Sequence, residues 1–311
     1  MLVVAALGGN ALSPPGGTGS VAEIQAALAT TAGHLAALVA AGAHVLVTHG
    51  NGPQIGRILL QQEAASPAVP PMPMDVCGAQ SQGQIGYLLA QALENAFRRR
   101  GIDTPVLCLV TQVVVDGHDP AFRRPTKPVG PTLTQEDARR IATETGYVMR
   151  NISGEAWRRV VPSPQPVRFV AERALLAAFE TGAVVIAAGG GGVPVVDDGM
   201  ALRGVEAVVD KDLTACRLAR LVNADVLLIL TEVAAVQQHF GTPQARALHS
   251  LTASAARELL AAGEFPAGSM GPKIEAACLF VESGGERAVI TDLASATDAL
   301  AGTAGTQVVP A

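Results

Sequence analysis

Apolar and polar positions along this chain follow two periods that take turns. Short aliphatic, β-branched runs, beginning with LVVAALG at 2–8, predict strands, and between them apolar residues recur at helical spacing. In 21–42, Ile24, Leu28, Leu35 and Leu38 fall on one face, and Gly42 stands where a helix C-cap belongs. AHVLVTHG (43–50) predicts the next strand and NGPQIGRILLQQEAA (51–65) opens the next helix. After a loop rich in Pro and Met (66–74) comes a helix over 79–100, then a strand, PVLCLVTQVVV, over 105–115. This β-α-β-α-β order predicts an α/β fold, a mostly parallel sheet covered on both faces. The rhythm breaks over about 116–168, dense in Pro, Arg and Gly, with one short helix predicted from near Thr134. So long an interruption predicts a small protruding subdomain or lid rather than slack loop. Alternation then resumes. Helices are expected over 170–181, 212–223, 252–262 and 272–282, strands over 183–192, 225–233 and 287–293, and a hairpin over 193–209.

Composition narrows the function classes. In 311 residues, 49% are hydrophobic and 16% charged, enough for a real core. No apolar run approaches the roughly 20 residues of a membrane helix. The start lacks a basic region ahead of its apolar run, so it reads as a first strand and not a signal peptide. Cys77, Cys108, Cys216 and Cys278 show no metal or redox spacing and fit a reducing cytoplasm. A net charge of −5 argues against nucleic acid as a partner. The run Arg98–Arg99–Arg100 before Gly101 reads as cations at a helix C-terminus.

In an open parallel sheet ligands bind beyond the carboxyl ends of the strands. Those ends carry LGGN (7–10), THGNGP (48–53), AAGGGG (187–192) and LTEV (230–233). Glycine lets backbone approach a ligand, and helix N-termini beyond such loops favour anions. One such loop is equally well a tight turn, and three at one sheet edge favour phosphate. The glycines at 189–192 are also explained by admitting a neighbouring backbone. Neither GxGxxG nor GxxxxGK[ST] is present. His49, at a strand end, is read as packing.

Lysine is scarce. Only Lys127, Lys211 and Lys273 occur, against nineteen arginines. A composition that exchanges lysine for arginine retains lysine where a compact ammonium must meet a phosphate oxygen and a planar fork does not fit. Lys211, between Asp210 and Asp212, and Lys273, in GSMGPKIEAA (268–277), both stand at predicted helix starts, where a cation opposes the helix dipole unless an anion compensates. Lys127 lies between Pro125 and Pro128 in the interruption. Arg57, on a helix outside the glycine loops, is expected to be exchangeable for lysine.

The segments ALGGNAL, THGNGPQIG, MDVCGAQSQGQIGYLL, PTKPVGP, WRRVVPSPQP, EAVVDKDL and GSMGPKIEAA resemble, in order, the signature segments of carbamate kinases within the amino-acid kinase superfamily. The resemblance implies a three-layer αβα sandwich around a mostly parallel sheet, with a protruding subdomain at about 116–168. It implies an N-terminal acceptor-binding lobe (1–185) and a C-terminal nucleotide-binding lobe (186–311). It further implies a cytoplasmic homodimer interconverting carbamoyl phosphate plus ADP with carbamate plus ATP, using Mg²⁺. By the same resemblance Lys211 and Lys273 contact the phosphates, Lys127 reaches in from the subdomain, and Asp212 orients the lysines. Gly8, Gly9, Asn10, Gly50, Asn51 and Gly52 form the phosphate and acceptor cradle, and Glu232, Gln237, Met270, Gly271 and Pro272 border the nucleotide. Carbamate is already an oxyanion, so no general base is needed. The chain departs from the family where LTEVAAVQ (230–237) stands for LTDVDAVY, and where Glu155 replaces an arginine in GEAWRRVV. These departures bear on nucleotide and acceptor handling. A kinase of another carboxylate or phosphonate-like acceptor, or a weakened member that binds rather than catalyses, is the alternative.

Overall fold

The computed structural model describes residues 1–12, 16–266 and 268–311, with only the backbone of Asn10. The first third of the chain forms β1 (Leu2–Leu7), α1 (Val21–Ala40), β2 (His44–His49), α2 (Gly52–Ala65), α3 (Met74–Arg100), β3 (Val106–Cys108) and β4 (Gln112–Val115). The middle third forms β5 (Lys127–Leu133), α4 (Gln135–Thr145), β6 (Met149–Ser153), β7 (Ala156–Val161), β8 (Pro166–Phe169), α5 (Glu172–Glu180), β9 (Val184–Ile186), β10 (Val193–Asp197) and β11 (Leu202–Gly204). The remainder forms α6 (Lys211–Leu221), β12 (Val226–Thr231), β13 (Val236–Gln238), β14 (Arg246–Leu248) and β15 (Ser250–Thr252). It ends with α7 (Ala253–Ala261), α8 (Met270–Glu282), β16 (Arg287–Asp292), α9 (Ala296–Leu300) and β17 (Thr306–Val309).

Eight strands make the central sheet in the order β15-β17-β16-β12-β1-β2-β9-β3. Only the β16–β17 pairing is antiparallel, so β17 and its parallel neighbour β15 run opposite to the other six strands. Side-chain alternation then sorts the core into two layers. Val3, Ala5 and Leu7 of β1 face α1, α3 and α9, while Val4 and Ala6 face the side covered by α5, α6, α7 and α8. Strands β2, β9, β12 and β16 split the same way, which produces the expected three-layer sandwich. Helix ends follow local chemistry. Ser20 caps α1 by accepting from the Glu23 N–H, while Glu23 accepts from the Gly19 N–H at 2.7 Å. Gly101 closes α3 at φ +66° after its three arginines, as the sequence predicts. No helix among the described residues is long and apolar enough to cross a membrane.

Two expectations are corrected. The strand predicted over 105–115 is two strands in two sheets. Gln82 of α3 accepts from the Thr111 N–H at 2.8 Å and donates to the Thr111 carbonyl at 3.2 Å. Those bonds hold Thr111 between the two sheets, its carbonyl also accepting from the Val193 N–H at 2.9 Å, and the chain leaves the central sheet for a second one, β11-β10-β4-β8. The interruption is also more regular than its Pro content suggests. It holds the antiparallel sheet β5-β7-β6 beside α4, with the register of β5 and β7 shifting between Val129 and Leu133. Val129 and Val161 of that sheet pack with Ile55, Ile58, Met74 and Cys77 from α2 and α3. The strands β13, β14, β15 and β17 and the helix α9 carry too little periodicity to be predicted; each has five residues or fewer.

The run at 189–192 shows why a close approach demands glycine. At Gly191 φ is +91° and an added Cβ would lie 2.1 Å from the Val209 carbonyl oxygen. At Gly199 φ is similar, +85°, but the space around it is open. Gly191→Ala is therefore expected to destabilise by at least about 3 kcal/mol, against roughly 1 kcal/mol for Gly199→Ala. Equal losses in chemical denaturation would refute this packing account.

Candidate active site

The four loops singled out in the sequence follow β12, β1, β2 and β9, neighbouring parallel strands of the central sheet. Their convergence is thus a product of topology. At this edge Asp210 caps α6, its Oδ1 accepting from the Asp212 N–H at 2.9 Å. The cap fixes the first turn, and Lys211 and Asp212 leave it as neighbours.

All three lysines of the chain meet here. Lys211 Nζ lies 2.5 Å from Asp212 Oδ1, and Lys273 Nζ, from the first turn of α8, lies 3.2 Å from Asp212 Oδ2. Lys273 also donates to the Ser269 carbonyl at 3.1 Å. Lys127, the first residue of β5, reaches from the protruding sheet to Asp210 Oδ2 at 2.7 Å. The cluster reads as three ammonium groups with two carboxylates between them. Asp212 retains 4% side-chain exposure, and Lys211 and Lys273 each retain 14%. Burial by itself would push the Asp212 carboxyl up, but Lys211 and Lys273 outweigh it and hold the group below the usual carboxylate range. Three ammonium groups and two carboxylates thus form the cluster, and Glu232 and Asp292 line the same cavity as Lys211 and Lys273.

Lys211 and Lys273 stand on the wall of a cavity of about 700 Å³. Gly8, Gly9, Leu230, Glu232, Gln237, Phe240, Phe265, Met270 and Asp292 are among the residues that line it. Of the residues expected to border a nucleotide, Glu232, Gln237 and Met270 line this cavity. Gly271 and Pro272 do not; the Gly271 N–H is spent on the Pro266 carbonyl at 2.9 Å, closing the turn that starts α8. Phe240, 64% exposed, and Phe265 line the cavity and escaped the sequence reading. A lone phenylalanine in a polar loop carries no periodic signal.

The residues of the expected phosphate cradle lie at this edge of the sheet. Gly8 and Gly50 donate their N–H groups to the Leu230 and Leu7 carbonyls at 2.9 and 3.0 Å. An added Cβ at Gly50 would lie 3.6 Å from the Lys211 stem and 3.7 Å from the Gly9 nitrogen. Gly52 starts α2, with Asn51 as its N-cap. The Asn51 amide donates to Ser81 Oγ at 2.8 Å and lies where a Cβ of Gly190 would be. The side chain of Asn10 lies outside the described residues. The Arg57 guanidinium lies across Gly19, where a Cβ would sit 1.8 Å from Cζ.

His49 is packing, as expected. It is 1% exposed, and its Nδ1 lies 2.8 Å from the Gly50 carbonyl. Its ring occupies the space a Cβ of Gly189 would take. Burial, with repulsion from Lys211, lowers its pKa to about 4 although the Gly50 carbonyl favours the proton. Among the described residues no group of three or more His, Cys, Asp or Glu side chains is placed to hold a metal ion.

The model of the amino acid kinase family matches residues 1–292. The chain is 48% identical over 310 residues to the carbamate kinase of Pyrococcus furiosus, covering 99% of each chain. It is 48% identical over 312 residues to that of Halobacterium salinarum, covering 99% of this chain and 98% of the other. Its structure is similar to that of the Giardia lamblia carbamate kinase bound to AMP-PNP, with a TM-score of 0.93 and 39% identity over 100% of this chain and 98% of that one.

His49 sets an acid limit on stability. The folded protein refuses a proton that the unfolded chain accepts, so stability is lost as pH falls from 6.5 toward about 4. His49→Asn is expected to flatten this loss by on the order of 1–2 kcal/mol between about pH 7 and about pH 5. Urea denaturation at both pH values tests it, and equal slopes in the two proteins would remove His49 as the cause.

Proposed function

The chain belongs to the amino acid kinase family, and on that footing we propose that it is a carbamate kinase, moving a phosphoryl group reversibly between carbamoyl phosphate and ADP to give carbamate and ATP. One observation carries the reading: the three lysines of the chain meet at two aspartates on the rim of a cavity large enough for a nucleotide. The similarity to carbamate kinases along the whole chain supports the choice of acceptor.

The transfer asks for alignment and charge neutralisation more than for proton chemistry. Carbamate attacks phosphorus as an oxyanion. His49 is buried and neutral near pH 7, which fits a reaction without a general base. In this reading the nucleotide lies in the cavity between Glu232, Gln237, Phe240 and Met270, with its phosphates toward Gly9, Lys211 and Lys273. The two ammonium groups donate to oxygens of the transferring phosphoryl group. Asp212 holds both in place while screening their repulsion. Lys127 approaches the acceptor from the protruding sheet, near Gly50, Asn51 and Gly52.

The donor set fits Mg²⁺ carried by the nucleotide. Both Asp212 oxygens are engaged by lysines, and Mg²⁺ ordinarily keeps phosphate and water ligands. When bound it supplies further neutralisation across the phosphate oxygens. We also propose that a second copy covers the free edge of the central sheet. There Leu107 and Val110 are 39% and 58% exposed, and Tyr87 on the neighbouring α3 is 63% exposed.

ATP formation from carbamoyl phosphate and ADP tests the activity directly, and a protein without turnover would overturn it. Lys211→Arg and Lys273→Arg keep the charge and change its shape. Each is expected to fold normally and to lose about 10²-fold in kcat, as for one lost preorganised donor. Near wild-type kcat in both would show that the lysines are incidental. Gln237→Tyr adds an aromatic surface to the nucleotide cavity and is expected to lower the KM for ADP several-fold. An unchanged ADP KM with altered acceptor kinetics would move this residue to the other substrate.

A further inference from the structure

The segment 206–210, just before α6, ties the protruding sheet to the sandwich at three points. Glu206 pairs with Arg159 of β7, whose guanidinium lies 3.5 Å above the Tyr147 ring. The Val208 N–H donates to the Pro162 carbonyl at 2.9 Å. Asp210 accepts from Lys127 of β5 at 2.7 Å. The last contact differs in kind. The Asp210 side chain is 11% exposed and has two tasks, its Oδ1 capping α6 and its Oδ2 holding the ammonium. The turn that presents Lys211 and Asp212 therefore also fixes the third lysine.

We infer that Asp210 is a positioning residue for the acceptor end of the reaction. It rests on the kinase reading above. Three ammonium groups brought to one anionic substrate repel one another, and each needs a counter-charge that does not occupy the face turned to substrate. Asp212 serves Lys211 and Lys273. Asp210 serves Lys127, and because it is anchored as a helix cap it defines where the protruding sheet comes to rest. Lys127 keeps 34% side-chain exposure in this pair, so its remaining N–H donors are open to an acceptor oxygen. Removing the Asp210 charge leaves the lysine present and unguided.

Asp210→Asn separates the two tasks, because asparagine caps helices as well as aspartate does and carries no charge. Asp210→Ser, also a competent cap, is the second variant should the first misfold. With carbamoyl phosphate and ADP, Asp210→Asn is expected to raise the KM for carbamoyl phosphate about tenfold, on the scale of a lost charge-assisted hydrogen bond, with the ADP KM within about twofold and an unchanged thermal midpoint. In a Lys127→Ala background the same substitution is expected to add less than about twofold, since its effect passes through that lysine. A wild-type acceptor KM in folded Asp210→Asn or Asp210→Ser overturns the inference. So does an equal penalty with and without Lys127, which would place the effect in α6 itself. Absence of ATP formation by the wild-type protein would instead remove the kinase reading, so the two failures are distinguishable.

Discussion

A carboxylate with 4% side-chain exposure, such as Asp212, is tolerated only because two ammonium groups share it. Desolvation of Asp212 favours its protonated form, and Lys211 and Lys273 reverse that preference. The dependence also runs the other way. Two lysines at the starts of adjacent helices repel each other and oppose both helix dipoles, and the carboxylate between them makes the arrangement stable. The requirement reaches outward: α6 and α8 must pack side by side on one face of the sheet, with their first turns level with the ends of β1 and β12. Residues of both helices in one core cluster, among them Ala215, Leu218, Ile274 and Ala277, provide that alignment.

The close approaches at the edge follow from the same demand. Gly191 admits the Val209 carbonyl just ahead of the Asp210 cap. The four glycines at 189–192 each leave space for a different group: the His49 ring, the Asn51 amide, the Val209 carbonyl and the Val113 side chain. Read in the sequence as a site for either phosphate or backbone, the run serves mainly to let side chains and backbone of the site's floor interlock.

Much of this was legible in the chain because it rests on local pattern. Alternating strands and amphipathic helices gave the layers, and the rarity of lysine marked Lys127, Lys211 and Lys273 before any geometry was known. What escaped notice depends on contacts distant in sequence. Nothing near Thr111 announces that Gln82, on another element, will end one strand and begin another. The Pro-rich stretch hid a three-stranded sheet because proline suppresses the strand signal while remaining compatible with edge pairing. The service of Asp210 to Lys127 spans 83 residues and could not be read from either segment. The contact of the Arg57 guanidinium with Gly19, far back in the chain, likewise leaves no mark in the sequence around either residue.

The gathering of every lysine into one cluster gives the molecule an unusual chemical topography. On most proteins an amine-directed reagent scatters over a surface sown with lysines, and its modification reports nothing about any one place. Here the lysine amines share a single address, at 34%, 14% and 14% side-chain exposure. Acylation of lysine side chains in this protein therefore amounts to titration of one locus, and its extent measures how much of that locus is open to solvent.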